Sequence, residues 1–198
     1  MGSKVKELVD ATAATMDELA RKTNLSSAFG EHTPGQLITM ELMMFAMYMS
    51  ASDGEIQKEE AEHIAEVFGL PFTPAMIGET IRKFDIYSKT FETKVPVSMQ
   101  IFVAIDNALH EKGLNGRLEQ PASETLFEVF KVVAATVVSA DGIVTDREKR
   151  DAEIYLTMLK NYMDENLTVR KDMAKGFKKT GEDISEERMM DIVDKMNE

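Results

Sequence analysis

Apolar positions along this chain recur mostly every three or four residues, the spacing that lines one face of a helix. Val5, Leu8, Val9, Thr12, Met16, Leu19 and Ala20 form one such stripe, which predicts a first amphipathic helix ended by the turn-rich segment from Asn24 to Gly35. Gln36 to Ser52 is apolar nearly all round, which predicts a buried central helix. After Gly54, Lys58 to Phe68 predicts a more exposed helix with Ala61, Ile64, Ala65 and Phe68 inward. Thr73-Pro74 is an N-cap followed by proline at the first helical position, opening a helix to about Tyr87. Phe91 to Val97 alternates weakly, and Pro96 argues against a central strand there.

The second half follows the same order. Ile101, Phe102, Ile105, Ala108 and Leu109 make a stripe, and Asn115-Gly116 and Pro121 punctuate the link that follows. Ser123 to Ala140 is a second buried helix, stopped by Gly142. Thr145 to about Met163 is a helix with Ala152, Tyr155, Leu156, Leu159 and Met163 inward, and a last helix carries Met189, Ile192, Val193 and Met196 on one face. The fold class is therefore all-α: a single bundle of about eight helices with short links. One domain over 1–198 is expected, with its core from Gln36 to Met163, an additional helix in residues 1–24 and a C-terminal extension in 164–198.

Two short segments stand out within this pattern. Ser50 to Glu60 reads S-A-S-D-G-E-I-Q-K-E-E, and Val138 to Glu148 reads V-S-A-D-G-I-V-T-D-R-E. Both reduce to a small residue, Asp-Gly, an Ile or Val two residues after the glycine, and a glutamate seven residues after the aspartate. The spacing from Asp53 to Asp141 equals that from Glu60 to Glu148, 88 residues in each case. An internal, pseudo-twofold duplication of a helix, Asp-Gly turn and helix is expected. It sets four carboxylates, Asp53, Glu60, Asp141 and Glu148, at matching positions.

An aspartate at the end of a helix faces the partial negative charge of the last carbonyls and costs roughly 0.3–1 kcal/mol when exposed. Two compensations are open at Asp53 and Asp141. Each side chain can accept from a backbone N–H one or two residues on, closing an Asx turn. Alternatively, each can hold a cation. The glutamates carry the same ambiguity, because Thr145-x-x-Glu148 is a capping box and Gln57-x-x-Glu60 is a poorer version of it. An EF-hand is excluded. With Gly54 at loop position six, the acidic positions one and three fall on Met49 and Ala51, and in the second copy on Val137 and Ser139. Each turn offers half a coordination sphere, so one hard-cation site requires the two turns to meet. His63 and Asp151, three residues after Glu60 and Glu148, are weaker candidate ligands on the same helix faces. A di-iron bundle would need two Glu-x-x-His motifs, and only one is present. His63 is expected as a surface histidine beside acids, and Glu41, alone in an apolar helix, is either a protonated or paired buried acid or a residue at the bundle's edge, the edge being preferred.

Charge and composition narrow the partners. The net charge of −12 disfavours non-specific nucleic-acid binding and attracts cations. The absence of cysteine excludes disulfides, thiolate metal sites and a cysteine nucleophile. The polar start, Met1 to Asp10, reads as no signal peptide, and no apolar run approaches the roughly 20 residues of a membrane span, so a cytoplasmic protein is expected. Of fifteen methionines, five fall between Met40 and Met49 and are expected in the core rather than in a partner groove. Residues 170–179 carry five basic side chains and one acid. That segment reads as a solvated linker or as a docking point for an acidic partner, a second copy or phospholipid head groups.

At Ser50–Glu60 and Ser139–Glu148, each following an apolar helix, the chain resembles the tellurite-resistance TerB-like family over roughly Gln36 to Met163. The resemblance implies an all-helical fold with internal pseudo-symmetry. It implies a divalent cation of the Ca2+ or Mg2+ class bound through Asp53, Glu60, Asp141 and Glu148. It also implies a non-enzymatic role in tellurite-type stress responses, within membrane-associated or multi-protein assemblies. The long insertion between the halves and the Gln57 cap depart from the family pattern. Two other functions compete with a cation-binding scaffold. One is a protein-interaction adaptor whose acidic turns are purely structural. The other is a metal-assisted hydrolase, for which the sequence offers neither a phosphate-binding glycine loop nor a Ser-His-Asp set.

Overall fold

The computed structural model describes residues 2–23, 31–84, 94–113 and 120–168. Among the described residues there are seven helices and no strand. They are α1 (Gly2–Thr23), α2 (Pro34–Ser50), α3 (Lys58–Phe68), α4 (Pro74–Lys83), α5 (Val97–Glu111), α6 (Ala122–Val138) and α7 (Asp146–Asn166). The last helix expected around Met189 to Met196 and the basic segment 170–179 lie outside the described residues. So does the weak alternation at 91–93.

The two apolar helices form the centre. α2 packs on each of the other six helices, and α6 packs on α1, α2, α3, α5 and α7. Where they meet α7, Phe45 stacks on Tyr155 with ring centroids 4.4 Å apart and meets Phe130 edge-on at 5.3 Å. Such aromatic pairs contribute about 0.5–1.5 kcal/mol beyond the area they bury. Met47 and Met49 are fully buried, whereas Met40 stands 44% exposed, so the methionines of α2 divide between the core and a surface face. α1 lies against α2, α3 and α6 through Val5, Val9, Met16 and Ala20, and so belongs to the bundle.

Three helix starts share a device that spans the bundle. α5 and α6 each begin after a proline, Pro96 and Pro121, whose side chain cannot cap. Their open N–H groups are met from other helices. Glu41 of α2 accepts from the Val97 N–H at 2.9 Å, the Ser98 N–H at 3.1 Å and the Ser98 hydroxyl. Asp106 of α5 accepts from the Ala122 and Ser123 N–H groups, both at 2.9 Å, and from the Ser123 hydroxyl at 2.6 Å. Asp17 of α1 accepts from the Gly35 N–H at 2.7 Å at the start of α2. Glu41 is thus a half-buried, fully engaged cap acceptor. Of the two alternatives for Glu41, the structure gives the paired acid, because a helix start 56 residues away seats on it.

Candidate functional site

The two Asp-Gly turns have the same local geometry. Each preceding helix ends three residues before its aspartate, and the C-cap residues Ala51 and Ser139 have φ/ψ of −107/3° and −103/3°. The next N-caps, Gln57 and Thr145, have φ/ψ of −74/154° and −75/157°. Gly54 and Gly142 sit at φ +100° and +81°, where any side chain is strained. Their N–H groups bond back to the carbonyls of Ala51 and Ser139, both at 3.1 Å. An added Cβ would meet nothing within 4 Å at either glycine, so backbone strain is the whole penalty. Gly54→Ala and Gly142→Ala are each expected to lose about 1–2 kcal/mol in urea denaturation. Gly142→Asn is expected to lose less, since asparagine tolerates the left-handed region.

All four predicted carboxylates hold their own turns. The Asp53 Oδ1 accepts from the Glu55 N–H at 3.0 Å, and the Asp141 Oδ1 accepts from the Ile143 N–H at 2.8 Å, closing matching Asx turns. The Glu60 Oε2 accepts from the Gln57 N–H at 2.8 Å. The Glu148 Oε2 accepts from the Thr145 N–H at 2.7 Å and from its hydroxyl at 2.8 Å. Glu60 and Glu148 are buried, at 3% and 4% exposure, and both aspartates are half-buried. Each carboxylate uses only one oxygen. The Oδ2 atoms of Asp53 and Asp141 and the Oε1 atoms of Glu60 and Glu148 accept no hydrogen bond from the described residues.

The two turns also come within electrostatic reach of each other. The Glu60 carboxyl is pushed up from 4.5 to about 7, first by burial, and then by the charges of Glu148, Asp141 and Asp53; its bond from Gln57 works the other way. No basic side chain figures among the charges acting on it. Three acids of the two turns therefore act on one buried carboxyl. Among the described residues, no group of three acidic or histidine side chains is placed to hold a metal ion.

His63 and Asp151 are not among the groups that shift the Glu60 carboxyl. The expectation of a surface histidine is overturned, since His63 is only 8% exposed. The buried arc of α3 runs through Glu60, Ala61, His63, Ile64 and Val67, rotated from the apolar stripe read from the sequence because α1, α2 and α6 all pack on this short helix. Burial lowers the His63 pKa, with the Glu66 charge opposing, and its Nε2 has no hydrogen-bond partner among the described residues. Asp151 is half-buried on α7, one turn after Glu148.

Sequence reasoning missed Asp17 and Asp106, which act in the fold rather than at the turns. The available signal was Pro-x-Ser at two helix starts, Pro96-Val97-Ser98 and Pro121-Ala122-Ser123, each lacking a capping side chain of its own. No described helix is long and apolar enough to cross a membrane. The sequence matches no protein-family model, and neither the curated proteins nor the solved structures contain a match to it.

Proposed function

We propose that this chain is a non-enzymatic, TerB-like scaffold that binds a divalent cation of the Ca2+ or Mg2+ class between two duplicated acidic turns, acting in a tellurite-type stress response in the cytoplasm. The observation that carries the proposal is that the charges of Glu148, Asp141 and Asp53, from both turns, all act on the buried Glu60 carboxyl. Like charges gathered in this way repel, and a hard cation with oxygen ligands relieves them. The four carboxylate oxygens left over from the turn and cap bonds supply the donors. Binding draws these side chains inward while their second oxygens keep the backbone turns in place.

A protein-interaction adaptor is the second reading. It is favoured by the hydrogen bonds themselves, since every one of the four carboxylates already has a structural use. The two are separated by thermal unfolding of EDTA-stripped protein, with and without Ca2+, Mg2+, Mn2+ and Zn2+. A cation at about a hundred times its dissociation constant adds roughly 2.7 kcal/mol. The cation reading expects that rise for one ion and its loss in Asp53→Asn/Asp141→Asn. A small rise common to all ions and kept by the double variant would be screening of the net charge, and would leave the adaptor.

A further inference from the structure

One side of α7 lines an open groove of about 630 Å3 along most of the helix, from Arg150 to Glu165. Arg150, Ile154, Met158, Asn161 and Glu165 follow one another at intervals of three or four residues, so they share one side of the helix. Ile154 in this row is 45% exposed. The row is mainly apolar in its middle and charged at its ends, and the two ends differ in sign. Arg150 and Glu165 are both exposed, and neither has an ion pair among the described residues.

That order of charge is self-complementary. A second α7 laid antiparallel on the first, about a two-fold axis between Thr157 and Met158, makes reciprocal contacts. Arg150 and Glu165 stand equally far from that midpoint, about 11 Å along the helix. Each arginine therefore comes level with the glutamate of the other copy, so the pair forms twice. The same register sets Ile154 level with Asn161, Thr157 with Met158, and Glu153 with Tyr162, whose hydroxyl is a donor. All eight α7 residues that line the groove are matched in this way, and no two like charges are brought level. A parallel arrangement would set arginine against arginine and glutamate against glutamate.

We propose that this face of α7 is a dimer interface, occupied by a second copy of the chain docked antiparallel with reciprocal Arg150–Glu165 ion pairs. Apolar contact among Ile154, Met158 and Tyr162 of both copies supplies the attraction, and the ion pairs set direction and register. Val95 and Tyr162 also border the groove between α2 and the start of α5, where Met40 is 44% and Val97 52% exposed, so the apolar surface continues beyond α7. One helix pair about 22 Å long is a small interface, so the dimer forms with rising concentration rather than permanently. The net charge of −12 on each copy opposes it, and at about 0.15 M salt that repulsion is screened beyond ~8 Å.

The test is sedimentation equilibrium of the full chain at about 0.15 M salt, from about 5 to 500 µM. The native chain is expected to move from 22.2 kDa toward twice that mass. Arg150→Glu and Glu165→Arg each turn both reciprocal pairs into like-charge pairs, and each is expected to weaken association about tenfold. Both side chains are exposed, so circular dichroism and thermal unfolding of the two variants should match the native chain. Mixed in equal amounts, the two variants regain both ion pairs and are expected to dimerise as tightly as the native chain. A native chain that stays at 22.2 kDa throughout overturns the proposal. So does a native dimer that both charge reversals leave intact, which would put the interface on another face, or an equal mixture of the variants that associates no better than either alone.

Discussion

Asp106→Ala is expected to lose about 3–5 kcal/mol of unfolding free energy, measured by urea denaturation, which is a large share of what holds a domain of this size together. The carboxylate is buried at 7% exposure and is the acceptor for the first N–H groups of α6 and for the Ser123 hydroxyl. Removing it leaves two backbone donors and a hydroxyl in the interior, at a helix start whose proline offers no side-chain cap. Each unmet buried donor costs about 1–3 kcal/mol. Burial raises the Asp106 pKa, while the bonds from Ser123 and Ala122 pull it down. Asp106→Asn removes the buried charge and keeps one acceptor oxygen, so its loss is expected to be smaller than that of alanine. Equal losses for both would mean that the ionised group, rather than its acceptor geometry, anchors α6. The same substitution should leave the acidic turns intact.

Asp106 also marks the division between what the chain announces locally and what it does not. The helices, the Asx turns and the Glu148 capping box were legible because each rests on residues within one or two turns of one another. Thr145 and Glu148 find each other whatever the tertiary fold. The burial of His63 was not legible. It depends on three helices closing around α3, and an apolar count on α3 alone centres the stripe elsewhere. Glu41 looked anomalous in the sequence, and Asp106 sits in an equally apolar helix. Their explanation required a second anomaly, the uncapped proline starts 56 and 16 residues downstream. Each acid and each bare helix start is unfavourable alone, and together they complete one another. The approach of the two Asp-Gly turns belongs to the same class, since no local pattern dictates how α2 and α6 lie side by side.

Burial of Glu60, reinforced by the charges of Glu148, Asp141 and Asp53, gives the second large effect. In the unfolded chain Glu60 ionises near 4.5, whereas in the native protein its carboxyl is held at about 7. Between those values the folded state keeps a proton that the unfolded state has released. The protein is therefore expected to be most stable at acid pH and to lose stability as pH rises through about 7. The loss between about pH 5 and pH 8 is on the order of 2 kcal/mol, below the full value of the shift because water screens the open side of the turn. Glu60→Gln keeps an acceptor for the Gln57 N–H but carries no charge. It is expected to flatten the profile and to be more stable than the native chain at pH 8. Cation binding reverses the direction of the effect. A divalent ion favours the ionised carboxyl, so binding near pH 7 expels part of a proton and tightens as pH rises. Titration calorimetry in two buffers of different ionisation heat measures that proton directly. In Glu60→Gln the released proton should vanish and the affinity should fall. Proton release from the native chain that persists in Glu60→Gln would place the cation away from the paired turns. A native stability profile that climbs from pH 5 to pH 8 would show that the Glu60 carboxyl is not held above its ordinary range.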